Sequence, residues 1–214
     1  MLGNEIFQFK NAVLVSGTTY KLSGLLRGRF GTEWAATGHG IGETFVLLSS
    51  PGVIQIQPIP TADIGQPRIY QAVSAGQAIG SGAQQTITAK ANTLVCFSPV
   101  LLTATNNGVA GDISLRWTRR NRITWQWLPS VDVPMSEASE AYTVSIYNGA
   151  GTVVLRTIGV SGVGVQNATY TSAQQTTDFG SPIAAHGGTL IWGVQQVSAV
   201  TGAGNMAKIT STMP

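Results

Sequence analysis

The feature that most constrains this chain is how its apolar residues are parcelled. Short runs rich in Val, Ile, Thr, Tyr, Phe and Trp are each cut off within a few residues by Gly, Pro or Asn, and helical periodicity is almost absent. "EIFQFKNAVLV", "GETFVLL", "GVIQIQPI", "RIYQAV", "QQTITAKA" and "TLVCF" lead to "ISLRWTR", "ITWQWL", "YTVSIY", "TVVLRTI", "TLIWGVQQV" and "MAKIT". Several alternate with period two, as Tyr142, Val144 and Ile146 do against Thr143 and Ser145, the pattern of a strand with one buried face. The expectation is an all-β chain of sandwiches or barrels, with helix only in short turns. "YNGAGTVV" reads as a hairpin around Asn148-Gly149.

With 214 residues there is room for one large β domain or two smaller ones. The breakers in "SPVLLTATNNGVAGD" separate two strand-rich blocks, which places a β domain at about 1–105 and a second at about 106–214. Only 10% of the residues are charged, against about 25% in ordinary soluble domains. A surface of short neutral polar side chains is well suited to burial against other subunits, because few ions must be desolvated.

Chemistry that needs particular residues is poorly supplied. A net charge of +3 from 12 basic and 9 acidic residues is too slight to argue for nucleic acid, and no sequence-specific nucleic-acid partner is expected. One cysteine, Cys96, excludes an intrachain disulfide and a cysteine-based zinc motif, and its setting in "LVCF" reads as a buried inert thiol. His39 and His186 stand beside glycines and read as solvated loop residues. No metalloprotease, nucleophile-elbow or phosphate-loop motif occurs. "GVSGVGV" lacks the following helix and the acidic residue of a dinucleotide site. Neither enzyme activity, metal nor cofactor is expected. No basic n-region precedes an apolar stretch and no run is long enough for a membrane helix, so a soluble, cytoplasmically synthesised chain is expected, with no membrane insertion.

Two segments concentrate the charge that exists. In "RWTRRNRITWQW", Arg116, Arg119, Arg120 and Arg122 interleave with Trp117, Trp125 and Trp127. Arginines beside aromatics suit single-stranded nucleic acid or a glycan. The structural reading is stronger: Trp117 enters the core, Arg116 faces out, and the arginines pair with Glu137, Glu140 or a neighbouring subunit. In "YKLSGLLRGRFGTEWAATGHGIGETFVLL", Leu22, Leu25 and Leu26 are expected to pack inward. Arg27 and Arg29 remain for carboxylates, Glu33 is a candidate partner, and "ETFVLL" re-enters as a strand. The whole stretch reads as a structural connector. "GVSGVGVQNATYTSAQQTT" reads as a loose loop or an edge strand.

"ISLRWTR", "EAYTVSIY" and "LIWGVQQVSAVTGAG" together resemble a fibronectin type III domain, with Trp117 on its second strand and Tyr142 and Tyr147 on its third. Leu190 stands where that family has its corner tyrosine, so the corner hydrogen bond should be missing. "YKLSGLLRGRFGTEWA", "GHGIGETFVLL", "GDISLRWTRRNR", "VPMSEASEAYTVSIY" and "YTSAQQTTDFG" resemble the C-terminal part of a tail-tip family. Its members are the host-specificity "megatron" proteins of gene transfer agents and the related baseplate hub and central tail-fibre proteins of siphophages. The resemblance runs over roughly 20–48 and 95–205. It implies a virion structural protein at the distal tail, acting in host attachment and DNA ejection, trimeric around the tail axis and in contact with hub or baseplate chains. The family carries hub regions upstream of the shared part, so a split version is expected, with another chain forming the hub ring. The alternatives are a receptor- or glycan-binding module of a tail, and an accessory module of a secreted polysaccharide-degrading enzyme.

Overall fold

A computed structural model describes residues 1–48, 59–106, 111–123, 129, 131, 133–183 and 188–213. The chain is largely β, in several antiparallel sheets. Strands β1 (Asn11–Ser16) and β2 (Thr19–Ser23) form one hairpin, and β3 (Pro67–Gln71) and β4 (Gln84–Thr88) another. Beyond them, β5 (Val100–Asn106), β6 (Ile113–Thr118) and β9 (Asn167–Tyr170) make a three-stranded sheet in the order β5-β6-β9. A second sheet joins β7 (Ala141–Tyr147), β8 (Val154–Ser161), β10 (Thr189–Ser198), β11 (Gly202–Ala203) and β12 (Ala207–Thr212). Its centre is β10, which pairs with β7 on one side and with β11 and β12 on the other, while β8 extends beyond β7.

Period-two alternation decides which side chains meet between these sheets. Ile113, Leu115 and Trp117 of β6 and Ala168 and Tyr170 of β9 share one buried cluster with Tyr142, Val144 and Ile146 of β7 and Leu190, Trp192 and Val194 of β10. Each large aliphatic side chain withdrawn from water there contributes about 1.5–3 kcal/mol. Trp117 meets Tyr142 edge to face at 5.1 Å, linking the sheets through their aromatics. Leu190 is fully buried in this cluster and carries no hydroxyl.

Helix α1 (Ser172–Phe179) interrupts the strands where a loose loop or edge strand was expected. Thr171 caps it: its hydroxyl accepts from the Gln174 amide while the Gln174 side chain accepts from the Thr171 N–H, which satisfies two otherwise orphan donors. Buried Gln175 fastens the helix, donating to Gly111 and Tyr170 carbonyls and accepting from the Ile183 amide. "TLVCF" forms a 3-10 turn at Asn92–Leu94 in place of a strand. "ETFVLL" makes only an isolated bridge, Phe45 to Leu2. "GVIQIQPI", "ITWQWL", Trp125, Trp127 and His186 lie largely or wholly outside the described residues.

The first half is built differently. Among the described residues, every buried large apolar side chain lies between Ile113 and Met213; ahead of them Cys96 is the one buried hydrophobic residue. Leu25 and Leu26, expected to pack inward, are exposed, as are Val13, Leu14, Val15 and Tyr20 of the first hairpin. Among the described residues of this segment the fully buried side chain is a carboxylate, that of Glu5.

Candidate functional site at the junction of the two halves

The 3-10 turns Arg29–Gly31 and Glu33–Ala35 carry the arginine-rich stretch past the N-terminal segment. Glu5 lies beneath it, fully buried, and Arg27 grips it with a fork: Nε donates to Oε1 at 2.7 Å and Nη2 to Oε2 at 2.6 Å. The Gly28 amide adds a third bond at 2.8 Å. These donors, Arg27 foremost, outweigh burial and hold the Glu5 carboxyl down at about 2.

The expectation of a solvated His39 is corrected by the structure. Its Nε2 lies 2.8 Å from Glu5 Oε2 and its Nδ1 lies 2.6 Å from Glu43 Oε2. A neutral imidazole would present a lone pair to one of these carboxylates, so the pocket suits the imidazolium, which donates from both nitrogens. The Glu43 and Glu5 carboxylates accordingly push the His39 pKa up.

The other arginines pair across longer stretches of sequence. Glu33 accepts from Arg120 Nη2 at 2.6 Å, not from Arg27 or Arg29, and so ties the first half to the second. Arg122 donates to Glu137 at 2.6 Å. Arg119 is buried and donates to Glu140 at 3.0 Å and to the Val133 carbonyl. Glu140 also accepts from Tyr142 Oη at 2.6 Å and from the Gly164 amide at 2.7 Å. Burial pushes the Glu140 pKa up, but these three donors more than offset it and hold it below its ordinary value. Arg116 projects to solvent while Trp117 on the same strand is buried.

Arg29 stands apart. Among the described residues its side chain has no hydrogen-bond or ion-pair partner, and its Nε is buried. Phe30 follows with φ 56 and ψ 35, in the left-handed region. At Gly31, φ is 79 and an added Cβ would fall 2.3 Å from the Phe97 ring, so only glycine permits this approach. Phe97 also lies beneath the Arg120 guanidinium, 5.0 Å from ring centre to Cζ. The Asn205 amide closes the junction, donating from its backbone to the Cys96 carbonyl and from Nδ2 to the Gly31 carbonyl. Burial pushes the Cys96 thiol up to about 12, which leaves it protonated and inert.

Sequence reasoning missed Glu5, Glu43 and Asn205. Glu5 and Asn205 sit in no motif, Glu43 stands in "GHGIGETFVLL" with nothing there to mark its role, and each acquires its role from a partner remote in sequence or from a turn. Among the described residues no cluster of His, Cys, Asp or Glu is placed to hold a metal, and no helix is long and apolar enough to cross a membrane. A family profile described as "Rcc01698-like, C-terminal" matches residues 1–46, the part of the chain that contains Glu5, Arg27 and His39. No curated protein matches the chain.

Proposed function

We propose that this chain is a non-enzymatic structural component of a siphophage-like tail tip or baseplate. It assembles around or below the tail hub as a homotrimer and contributes to host attachment and DNA ejection. The observation that carries this reading is the exposed apolar surface of the first half. Val13, Leu14, Val15, Tyr20, Ile69 and Ile87 are exposed on two-stranded hairpins that, among the described residues, have no core beneath them. Isolated hairpins are marginal in water, and such surfaces mark protein interfaces. A chain only 10% charged loses little by covering them. The buried carboxylates are held by arginine forks, backbone amides and hydroxyls, which suits rigid packing more than proton transfer.

The finer architecture belongs to the same reading. The orders β5-β6-β9 and β12-β10-β7-β8 suit a fibronectin type III-like unit with β5 as its first strand. Three copies in cyclic symmetry would each bury one heterologous face against the next around a channel. Electron microscopy of assembled particles tests this: three copies on the tail axis, touching the hub, are expected. Six copies in an outer ring, or copies on peripheral fibres, would replace it with the second reading, a host-surface adhesin. That second reading has its own support in an aromatic and arginine-lined cleft at the junction.

A further inference from the structure

Two adjoining hollows at the junction share Phe30, Phe97 and Arg122. One, of about 410 Å³, is walled by Phe30, Trp34 and Phe97 with the amides of Asn4, Asn92 and Asn205. The other, of about 510 Å³, is walled by Arg27, Arg29, Arg120 and Arg122, with Glu33 the one carboxylate on its wall. Both volumes fall within the range of small-ligand sites, about 300–1,000 Å³. We propose that this cleft binds a carboxylate-bearing saccharide, with the Arg29 guanidinium taking the carboxylate and Phe30 and Trp34 taking the face of the sugar ring.

Charge balance singles out Arg29. Arg27 is neutralised by Glu5, Arg120 by Glu33 and Arg122 by Glu137. Arg29 has no such carboxylate among the described residues: it lines the cleft with its Cζ 5.8 Å from the centre of the Phe30 ring, and its charge is left for a ligand to match. One unmatched positive charge suits one acidic group, and the planar guanidinium matches a carboxylate.

The aromatics argue for the rest of the ligand. Phe30 is 69% exposed and Trp34 58% exposed, and neither contributes to a core. Phe30 is held at φ 56, a strained conformation for a bulky residue and one that concentrates at ligand sites. Polarised C–H bonds of a pyranose ring meet the negative face of an aromatic ring favourably. Among the described residues the Asn4 and Asn92 side chains carry no hydrogen bond and line the same wall, where sugar hydroxyls can both donate and accept. A nucleic-acid strand fits poorly, because it needs a succession of unmatched cations, and Arg27, Arg120 and Arg122 are each matched by a carboxylate.

This site supplies a ligand for the adhesin reading but stands on the chain's own geometry, so its failure leaves assembly at the tail axis untouched. Isothermal titration of the whole chain with an oligogalacturonate and with a neutral maltooligosaccharide tests it. The acidic oligomer should bind about ten-fold more tightly, and Arg29→Gln should lose about that factor. Trp34→Ala should weaken binding without lowering the unfolding temperature, and carries the test if Arg29→Gln fails to fold. Absence of binding, equal binding of the neutral oligomer, or undiminished binding by a folded Arg29→Gln protein would overturn the proposal. Displacement by equimolar inorganic phosphate would reduce the site to a generic anion site, and tighter binding of oligothymidylate would assign it to nucleic acid; either result overturns it too.

Discussion

Glu5 is a carboxylate withdrawn from water, and its charge is tolerable only because Arg27, Gly28 and His39 all donate to it. Its folded pKa lies below the ordinary 4.5, at about 2, so the stability it contributes is full above about 4.5 and is lost as pH falls towards 2. His39 has the opposite sign. Its folded pKa lies above the ordinary 6.5, so its contribution is full below that value and is lost as pH rises through the folded pKa. The unfolding temperature should therefore pass through a maximum at mildly acid pH and decline on the alkaline side. Calorimetry of His39→Gln against the parent chain checks this, and the variant should lose the alkaline decline. Arg119 offers a second residue-scale case. Arg119→Ala leaves Glu140 buried with only Tyr142 and Gly164 as donors, and should cost about 3 kcal/mol. The shift of the urea midpoint at constant slope measures it.

Helix α1 shows how a local signal fixes an element. "TSAQ" is a capping box, Thr171 with Gln174 three residues on, and Gly180 ends the helix at φ 83. Asp178 on the same helix accepts from Arg156 of β8 at 2.7 Å and from Tyr170 of β9 at 2.8 Å, so one carboxylate spans both sheets. Thr171→Ala should cost about 1 kcal/mol and fray the first turn. Faster amide exchange at Gln174 and Gln175 relative to β7 reports that fraying, and unchanged exchange would show that the tertiary bonds of Gln175 hold the turn without its cap. The hairpin β1–β2 is the contrasting element: its register is set by local pairing from Asn11–Ser23 to Ser16–Thr19, yet neither face is buried.

At the scale of the whole molecule the two halves differ in what holds them. Residues from Val100 onward enclose an apolar cluster, whereas the earlier segments depend on Glu5, on Glu33–Arg120 and on the contacts of Phe97 and Asn205. Without an apolar core there is little to offset the entropy of ordering a chain. Residues 99–214 expressed alone should fold cooperatively, and residues 1–98 alone should not. Dispersed amide resonances from the first fragment and collapsed ones from the second are the expected spectra. A well-dispersed spectrum from residues 1–98 would show that the first half is stable without partners.

The sequence by itself determined most of the strands of the second half. Period-two alternation in "ISLRWTR", "YTVSIY" and "TLIWGVQQV" is a local property, and each run has only one face that can be buried. It also carried the cap of α1, although the glycine-rich flank of "GVSGVGVQNATYTSAQQTT" masked that signal. Only the tertiary structure decided the partners. Glu5 reaches Arg27 across 22 positions and Glu33 reaches Arg120 across 87, and no spacing rule links charges so far apart. It alone decided that Leu25 and Leu26 stay exposed, because burial depends on what packs opposite, and Leu26 pairs with Gln8 while the described residues bring no buried large apolar side chain to this part of the chain.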